Sequence, residues 1–256
     1  MHPTLADLHK IMTVPVASTW PGEPTGETFA WGSALYAGSP GPAYYSHRLL
    51  AAQMAIDCKP ENFWILPTAD RLPYPYAIFY SIASMFETEK ELGHRADWFI
   101  WTDDDVIVPR NVISVLRKAA DPVERPFVAC VGYDRLPPYR PAVWEMEKYD
   151  QMEVPVQWNT AKASGVHRVY ATGLCCAIFH RSLFDIVPEP WFAVHPPMVN
   201  PNGQESDIAP DNYWSDLLYR NNVPVHVTCD VEILHLGAQL PVGRKAREYI
   251  VAKEGA

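Results

Sequence analysis

The run DWFIWTDDDVIVPR at residues 97–110 constrains this chain more than any other segment. Trp98, Phe99, Ile100 and Trp101 make an apolar block too short for a helix on its own. It is rich in aromatic and branched residues, so it predicts a buried strand. Thr102 then leads into Asp103, Asp104 and Asp105, three adjacent like charges that a core would reject. Carboxylates at the C-terminal end of such a strand fall where an open α/β sheet binds ligands, in the crevice beyond the strand ends. A hard divalent cation such as Mg²⁺ or Mn²⁺ resolves the repulsion, because it takes carboxylate oxygens and completes its shell with phosphates and water. On an extended segment Asp103 and Asp105 point to one side and Asp104 to the other. The alternation predicts one D-x-D pair able to hold a metal–diphosphate. The competing reading is an acidic turn ahead of Val106, which is ordinary turn chemistry.

The rest of the chain frames that segment. Its 256 residues, 48% of them hydrophobic, suffice for one large α/β domain or two small ones. A formal charge of −9 argues against a general binder of phosphate backbones, which needs a basic face. Twenty-five prolines, about twice the usual share, predict stiffened loops around a compact sheet. Cys58, Cys130, Cys175, Cys176 and Cys229 are odd in number and lack C-x-x-C spacing, so neither a disulfide framework nor a zinc site is expected. Cys130, Cys175 and Cys176 lie inside apolar runs and read as small buried hydrophobes, and a cytoplasmic location is the expectation. The N-terminal MHPTLADLHKIMTVPV is too polar for a signal peptide, and no apolar stretch is long enough for a membrane span.

Read for periodicity, residues 11–17 predict a strand and 29–37 the first strand of the main sheet. Helices are expected at 43–56 and 76–92, a short strand at 63–66, and a helix after Pro109 with Pro109 in its first turn. Residues 127–131 make a further strand, so this half reads βαβαβαβ, a doubly wound parallel sheet. The second half is less regular. VYATGLCCAIF at 169–179 reads as one strand containing a glycine, 181–186 as a short helix, 211–220 as a helix and 223–236 as strand-like.

The order of these pieces, D-x-D, then VYATGLCCAIFHRSLFDIV, then PDNYWSDLLYRNNVPVHVTCDVEILHLG, resembles glycosyltransferases of the GT-A fold, family 2 and its relatives most nearly. The resemblance covers roughly residues 29–237. It implies a single GT-A domain with a mostly parallel, Rossmann-like central sheet flanked by helices. Residues 29–132 would be the nucleotide-sugar half, 133–237 the less regular acceptor half, and 238–256 a tail. It implies that Asp103 and Asp105 hold Mn²⁺ or Mg²⁺ on the diphosphate of a nucleotide sugar, UDP-linked by expectation, with His235 joining the metal shell. Imidazole suits a mixed N/O shell, while a core histidine bonded to a backbone carbonyl is the alternative. Asp211 matches the acidic residue that acts as general base on the acceptor hydroxyl in inverting relatives. It also reads as a helix N-cap. In a retaining enzyme it would only position substrate. Where the family often has Glu-Asp, this chain has Pro210-Asp211, leaving Glu205 and Asp207 as substitutes for the missing carboxylate.

The same resemblance assigns the nucleotide pocket to Ala37, Gly38, Ser39 and Pro40 with Asp70 and Arg71, and gives Asp104 the ribose. Gly173 would let backbone approach the sugar, Trp191 and Phe192 could stack on a ring, and Arg244 and Lys245 could fold over the diphosphate. The Arg-Asn pair that relatives carry before D-x-D is replaced by RLPYPYAIFY, so part of the base contact must differ. A sugar-phosphate nucleotidyltransferase is the nearest competing enzyme, although GSPGPAYYSHR is a poor match to its glycine-rich loop. A non-catalytic nucleotide-sugar-binding scaffold is the other alternative. Among acceptors a carbohydrate leads, with a hydroxylated DNA base, a lipid-linked acceptor or a protein side chain behind it.

Overall fold

The computed structural model describes residues 26–35, 41–67, 69–70, 72, 76–134, 138–149, 152–192, 198–199, 205–206, 209–236 and 241–242. The strand expected at residues 11–17 lies outside them. In chain order the elements are β1 (Phe29–Leu35), α1 (Gly41–Asp57), β2 (Phe63–Ile65), β3 (Ala69–Asp70), α2 (Tyr76–Leu92), β4 (Trp98–Thr102), β5 (Val106–Ile107), α3 (Val112–Ala119) and β6 (Phe127–Cys130). The second half holds β7 (Val143–Tyr149), β8 (Met152–Gln157), β9 (Val166–Val169), β10 (Ala171–Thr172), β11 (Cys176–His180), α4 (Leu183–Ile186), β12 (Met198–Val199), β13 (Glu205–Ser206), α5 (Pro210–Arg220), β14 (Val225–Thr228), β15 (Leu234–Leu236) and β16 (Pro241–Val242).

The main sheet runs β2-β1-β4-β11-β6-β14-β9, with β3 also paired to β1. Strands β2, β3, β1 and β4 are parallel, and β6 and β14 point the same way. Strand β11 runs against both of its neighbours, β4 and β6, and β9 runs against β14. The architecture is therefore α/β with a mixed, mostly parallel sheet of Rossmann-like form. The mainly parallel sheet expected for the first half is present, with the antiparallel β11 from the second half standing between β4 and β6.

Alternation along β4 explains why the sheet is covered on both faces. Trp98 and Ile100 pack with Leu50 and Met54 of α1 and Val112, Ile113 and Leu116 of α3. Phe99 and Trp101 face the other way, into a core with Ile78, Ile82 and Met85 of α2, Phe184 of α4, and Trp214 and Leu218 of α5. All five residues of β4 are buried, as expected of a strand with no solvent face. Gly32 of β1 is where α2 comes closest. A Cβ there would lie 2.6 Å from the Cβ of Ser81.

Helix α1 locks the chain just after the acidic turn. The His47 ring donates from Nε2 to the Val106 carbonyl (3.1 Å), and the Ser46 hydroxyl accepts the Val108 N–H (3.2 Å). Burial lowers the His47 pKa to about 4, against the opposing pull of the Val106 carbonyl and the Asp105 carboxylate. An unfolded histidine takes up its proton near pH 6.5. Stability present above that pH is thus lost as pH falls from about 6.5 to about 4, by roughly 3 kcal/mol in all. Urea midpoints measured across that window should show the loss, and His47→Gln, which keeps a donor for Val106, should flatten it.

Candidate functional site

The acidic turn sits at the C-terminal end of β4, in the middle of the sheet. It is not an extended segment. The strand stops at Thr102, Asp104 and Asp105 form a turn, and the Val106 N–H reaches back to the Asp103 carbonyl (3.4 Å). The strict alternation expected for the three aspartates is corrected accordingly. Both flanks of the turn are tied down. The Asp103 N–H donates to the Cys175 carbonyl (2.9 Å), and the Leu236 N–H donates to the Asp105 carbonyl (2.8 Å) where β15 pairs with β5. Asp103 Oδ1 accepts the indole N–H of the buried Trp101 at 2.8 Å. Asp104 is 9% exposed, and Asp103 and Asp105 are half-buried.

His235 faces this turn. Its Nε2 lies 3.3 Å from Asp105 Oδ1, and its Nδ1 is 2.9 Å from the Tyr133 carbonyl oxygen. A carbonyl only accepts, so Nδ1 carries a proton and Nε2 is the atom turned toward Asp105. A bare Nε2 lone pair aimed at a carboxylate oxygen is repulsive, and a proton or a cation between them removes the conflict. Burial works against a charged ring, but the Cys175 sulfur and the Asp105 carboxylate outweigh it and raise the His235 pKa. Burial also raises the Cys175 pKa and keeps it a neutral thiol, so Asp105 supplies the charge that matters.

The donor set fits a hard or borderline divalent ion. Two neighbouring ligands of an octahedral Mg²⁺ sit about 3.0 Å apart, close to the observed pair. Pinning one ring nitrogen on a backbone carbonyl is also how metal-ligating histidines are oriented. Among the described residues no group of three His, Cys, Asp or Glu side chains converges as a complete cage. A two-donor platform suits an ion whose remaining positions are filled by phosphates and water.

Asp211 reaches the site from α5. Residue 209, an alanine, is the N-cap of α5 and Pro210 its first residue, so Asp211 lies inside the first turn and the N-cap expectation is corrected. Its Oδ1 accepts the Asn212 N–H at 2.9 Å, and the Leu174 N–H also bonds the carboxylate. Burial raises the Asp211 pKa, with those backbone donors acting in opposition. Gly173 stands beside it. A Cβ at Gly173 would be 3.1 Å from the Cβ of Ala142 and 3.5 Å from Asp211 Oδ2.

Residues 173–175 therefore join the pieces. The stretch expected as one strand at 169–179 is broken into β10 and β11, and the break gives its Leu174 N–H to Asp211, its Cys175 carbonyl to Asp103 and its Cys175 sulfur to His235 (3.9 Å to Nδ1). Sequence reasoning missed Cys175, Tyr133 and Gly132. The missed signal was the CC pair directly after A-T-G-L, read only as core. Gly132 makes room for it, since a Cβ there would be 2.6 Å from Cys175 Sγ. Gly132→Ala should cost about 1–3 kcal/mol by overpacking, measured by urea unfolding, and should shift the His235 ring resonances in NMR spectra.

Other expectations fare differently. Trp191 and Phe192 are core residues, 4% and 5% exposed, with Phe192 stacked on Trp214 at 5.0 Å and the Trp191 N–H bonded to the Val187 carbonyl, so neither presents a face to a sugar. Pro109 precedes α3 rather than opening it, because the helix begins at Val112. Ala37, Gly38, Ser39, Pro40, Arg71, Asp207, Arg244 and Lys245 lie outside the described residues. Asp70 and Glu205 are described by backbone alone, in β3 and β13. All five cysteines are free and buried. Among the described residues no helix is long and apolar enough to cross a membrane.

The chain matches no family model and no curated protein. Among solved structures it is similar to the crystal structure of A197 from STIV, with 13% identity and a TM-score of 0.47 over 86% of this chain and 91% of that one.

Proposed function

We propose that this chain is a metal-dependent glycosyltransferase of GT-A type. It would move a sugar from a nucleotide diphosphate sugar, UDP-linked, to an acceptor hydroxyl. The observation that carries the reading is the Asp105–His235 pair at the end of a central strand, its imidazole pinned by the Tyr133 carbonyl so that Nε2 and a carboxylate oxygen meet at 3.3 Å. Asp105 and His235 would hold Mn²⁺ or Mg²⁺, with Asp103 on the same turn adding negative charge rather than a third converging donor. Bound there, the ion supplies Lewis-acid neutralisation of charge on the leaving diphosphate.

The chain's own groups do the rest. Asp211 takes the proton of the acceptor hydroxyl, and its desolvated carboxylate, with a pKa above the ordinary value, is a stronger base than a solvated one. An enzyme using it this way inverts the anomeric centre. Gly173, with no Cβ to meet Ala142 at 3.1 Å, lets the backbone pass close beside that carboxylate. Asp104 is assigned to the ribose, and Ala37–Pro40 with Asp70 and Arg71 to the nucleotide. Arg244 and Lys245 are assigned to the departing diphosphate. The test is incubation of the full chain with a panel of nucleotide sugars, with and without Mn²⁺. Release of free nucleotide diphosphate only when metal is present supports the reading. No thermal stabilisation and no turnover of any donor would defeat it.

A further inference from the structure

A cleft of about 350 Å³ opens on the acceptor half, between the β7–β8 hairpin, the end of β9, and the C-terminal turn of α5. Two aromatic rings meet there nearly at right angles, Tyr170 and Tyr219, with centroids 5.3 Å apart. Tyr170 is held by its hydroxyl, which donates to Asp216 Oδ1 (3.2 Å), whereas Tyr219 is 49% exposed. Glu145, Glu153 and Arg168 stand around the rings. Arg168 and Glu153 are exposed, and Glu145 is only loosely engaged by Lys162, at 3.5 Å.

The chemistry of this lining narrows the ligand. Glu145 and Glu153 are matched by Arg168 and by the Lys162 ammonium beside Glu145, so the lining has no excess positive charge to draw a free phosphate or a nucleic acid. An open, half-polar wall is wrong for an acyl chain. A neutral polyol with an apolar ring face fits each feature, because carboxylates accept its hydroxyls, the guanidinium donates to them, and an exposed tyrosine covers the ring face. The cleft is built on the two segments that also carry Asp211 and Gly173. Tyr219 is eight residues along α5 from Asp211, about 12 Å. Tyr170 is three residues from Gly173, about 10 Å of extended chain.

We infer that this cleft binds a neutral saccharide. Its role as the distal subsite of a carbohydrate acceptor rests on the glycosyl-transfer reading. The full chain, isotope-labelled, would be titrated with maltotriose, mannotriose and chitotriose and followed by NMR. Saturable shifts at Tyr170, Tyr219 and Arg168 with at least one of these sugars are expected. Tyr219→Ala should weaken that binding about tenfold, as loss of an aromatic contact does, and Arg168→Ala, on an exposed position, provides a second variant. Neither change should alter Mn²⁺-dependent hydrolysis of the donor. Absence of cleft shifts with all three sugars, or wild-type affinity in both variants, would overturn the inference. Donor hydrolysis reports separately on the transfer reading: sugar binding without hydrolysis leaves the cleft a saccharide site and removes its acceptor role.

Discussion

Asp211→Asn is expected to lower kcat by about 10²–10⁴-fold while leaving the protein about as stable as the parent. The rate loss is the usual share of a general base, since an amide cannot take the acceptor's proton. The stability expectation follows from the fold. The amide oxygen can still accept the Asn212 N–H, and removing a charge that burial disfavours offsets the weaker acceptor left for the Leu174 N–H. A carboxylate whose folded pKa is raised works against the fold once ionised, above its ordinary titration range, so neutralising it at pH 7 cannot cost that charge. Asp211→Ala should lose the same activity and also destabilise by about 1–3 kcal/mol, because the Asn212 and Leu174 N–H groups lose their acceptor. Thermal melts beside single-turnover kinetics separate the two effects. Wild-type turnover in Asp211→Asn would make Asp211 structural and move the search for a base to Glu205 and Asp207.

Asp105→Asn should weaken Mn²⁺-dependent UDP binding by more than about 100-fold. That exceeds the 10–100-fold typical of losing an outer partner of a metal ligand. Asp103 needs a different substitution. Its Oδ1 accepts the indole N–H of Trp101, which has no solvent exposure, so Asp103→Ala would leave a buried donor unpaired and cost about 1–3 kcal/mol. Asp103→Asn keeps an oxygen for that indole and isolates the loss of charge. Calorimetry of UDP with Mn²⁺, on variants first shown to melt like the parent, measures the effect. Unchanged affinity in both would remove the acidic turn from the site.

Helix α2 was legible to the residue, Tyr76–Leu92, because its apolar positions Ile78, Ile82 and Met85 repeat at helical spacing. Strand β4 was legible because a short aromatic run leaves no other way to bury four large side chains. Direction was not. Periodicity is the same for a parallel and an antiparallel strand, so nothing in CAIFH announced that β11 would enter between β4 and β6. The β7–β8 hairpin escaped notice although Trp144 and Met146 alternate with Glu145 and Glu147, because Pro155 argues against a central strand; β8 is an edge, where proline is tolerated. In the candidate site, Asp103, Asp105, Asp211 and His235 stood out as side-chain chemistry. The carbonyls of Tyr133 and Cys175 did not, because a backbone acceptor has no residue signature and its placement is a tertiary fact.

Pulsed EPR of Mn²⁺–UDP bound to the full chain tests the metal assignment most directly. The Asp105–His235 site predicts nitrogen hyperfine coupling from one imidazole on the Mn²⁺, abolished in His235→Gln. A protein-bound Mn²⁺–UDP complex with no nitrogen coupling, or one whose coupling survives His235→Gln, would contradict it.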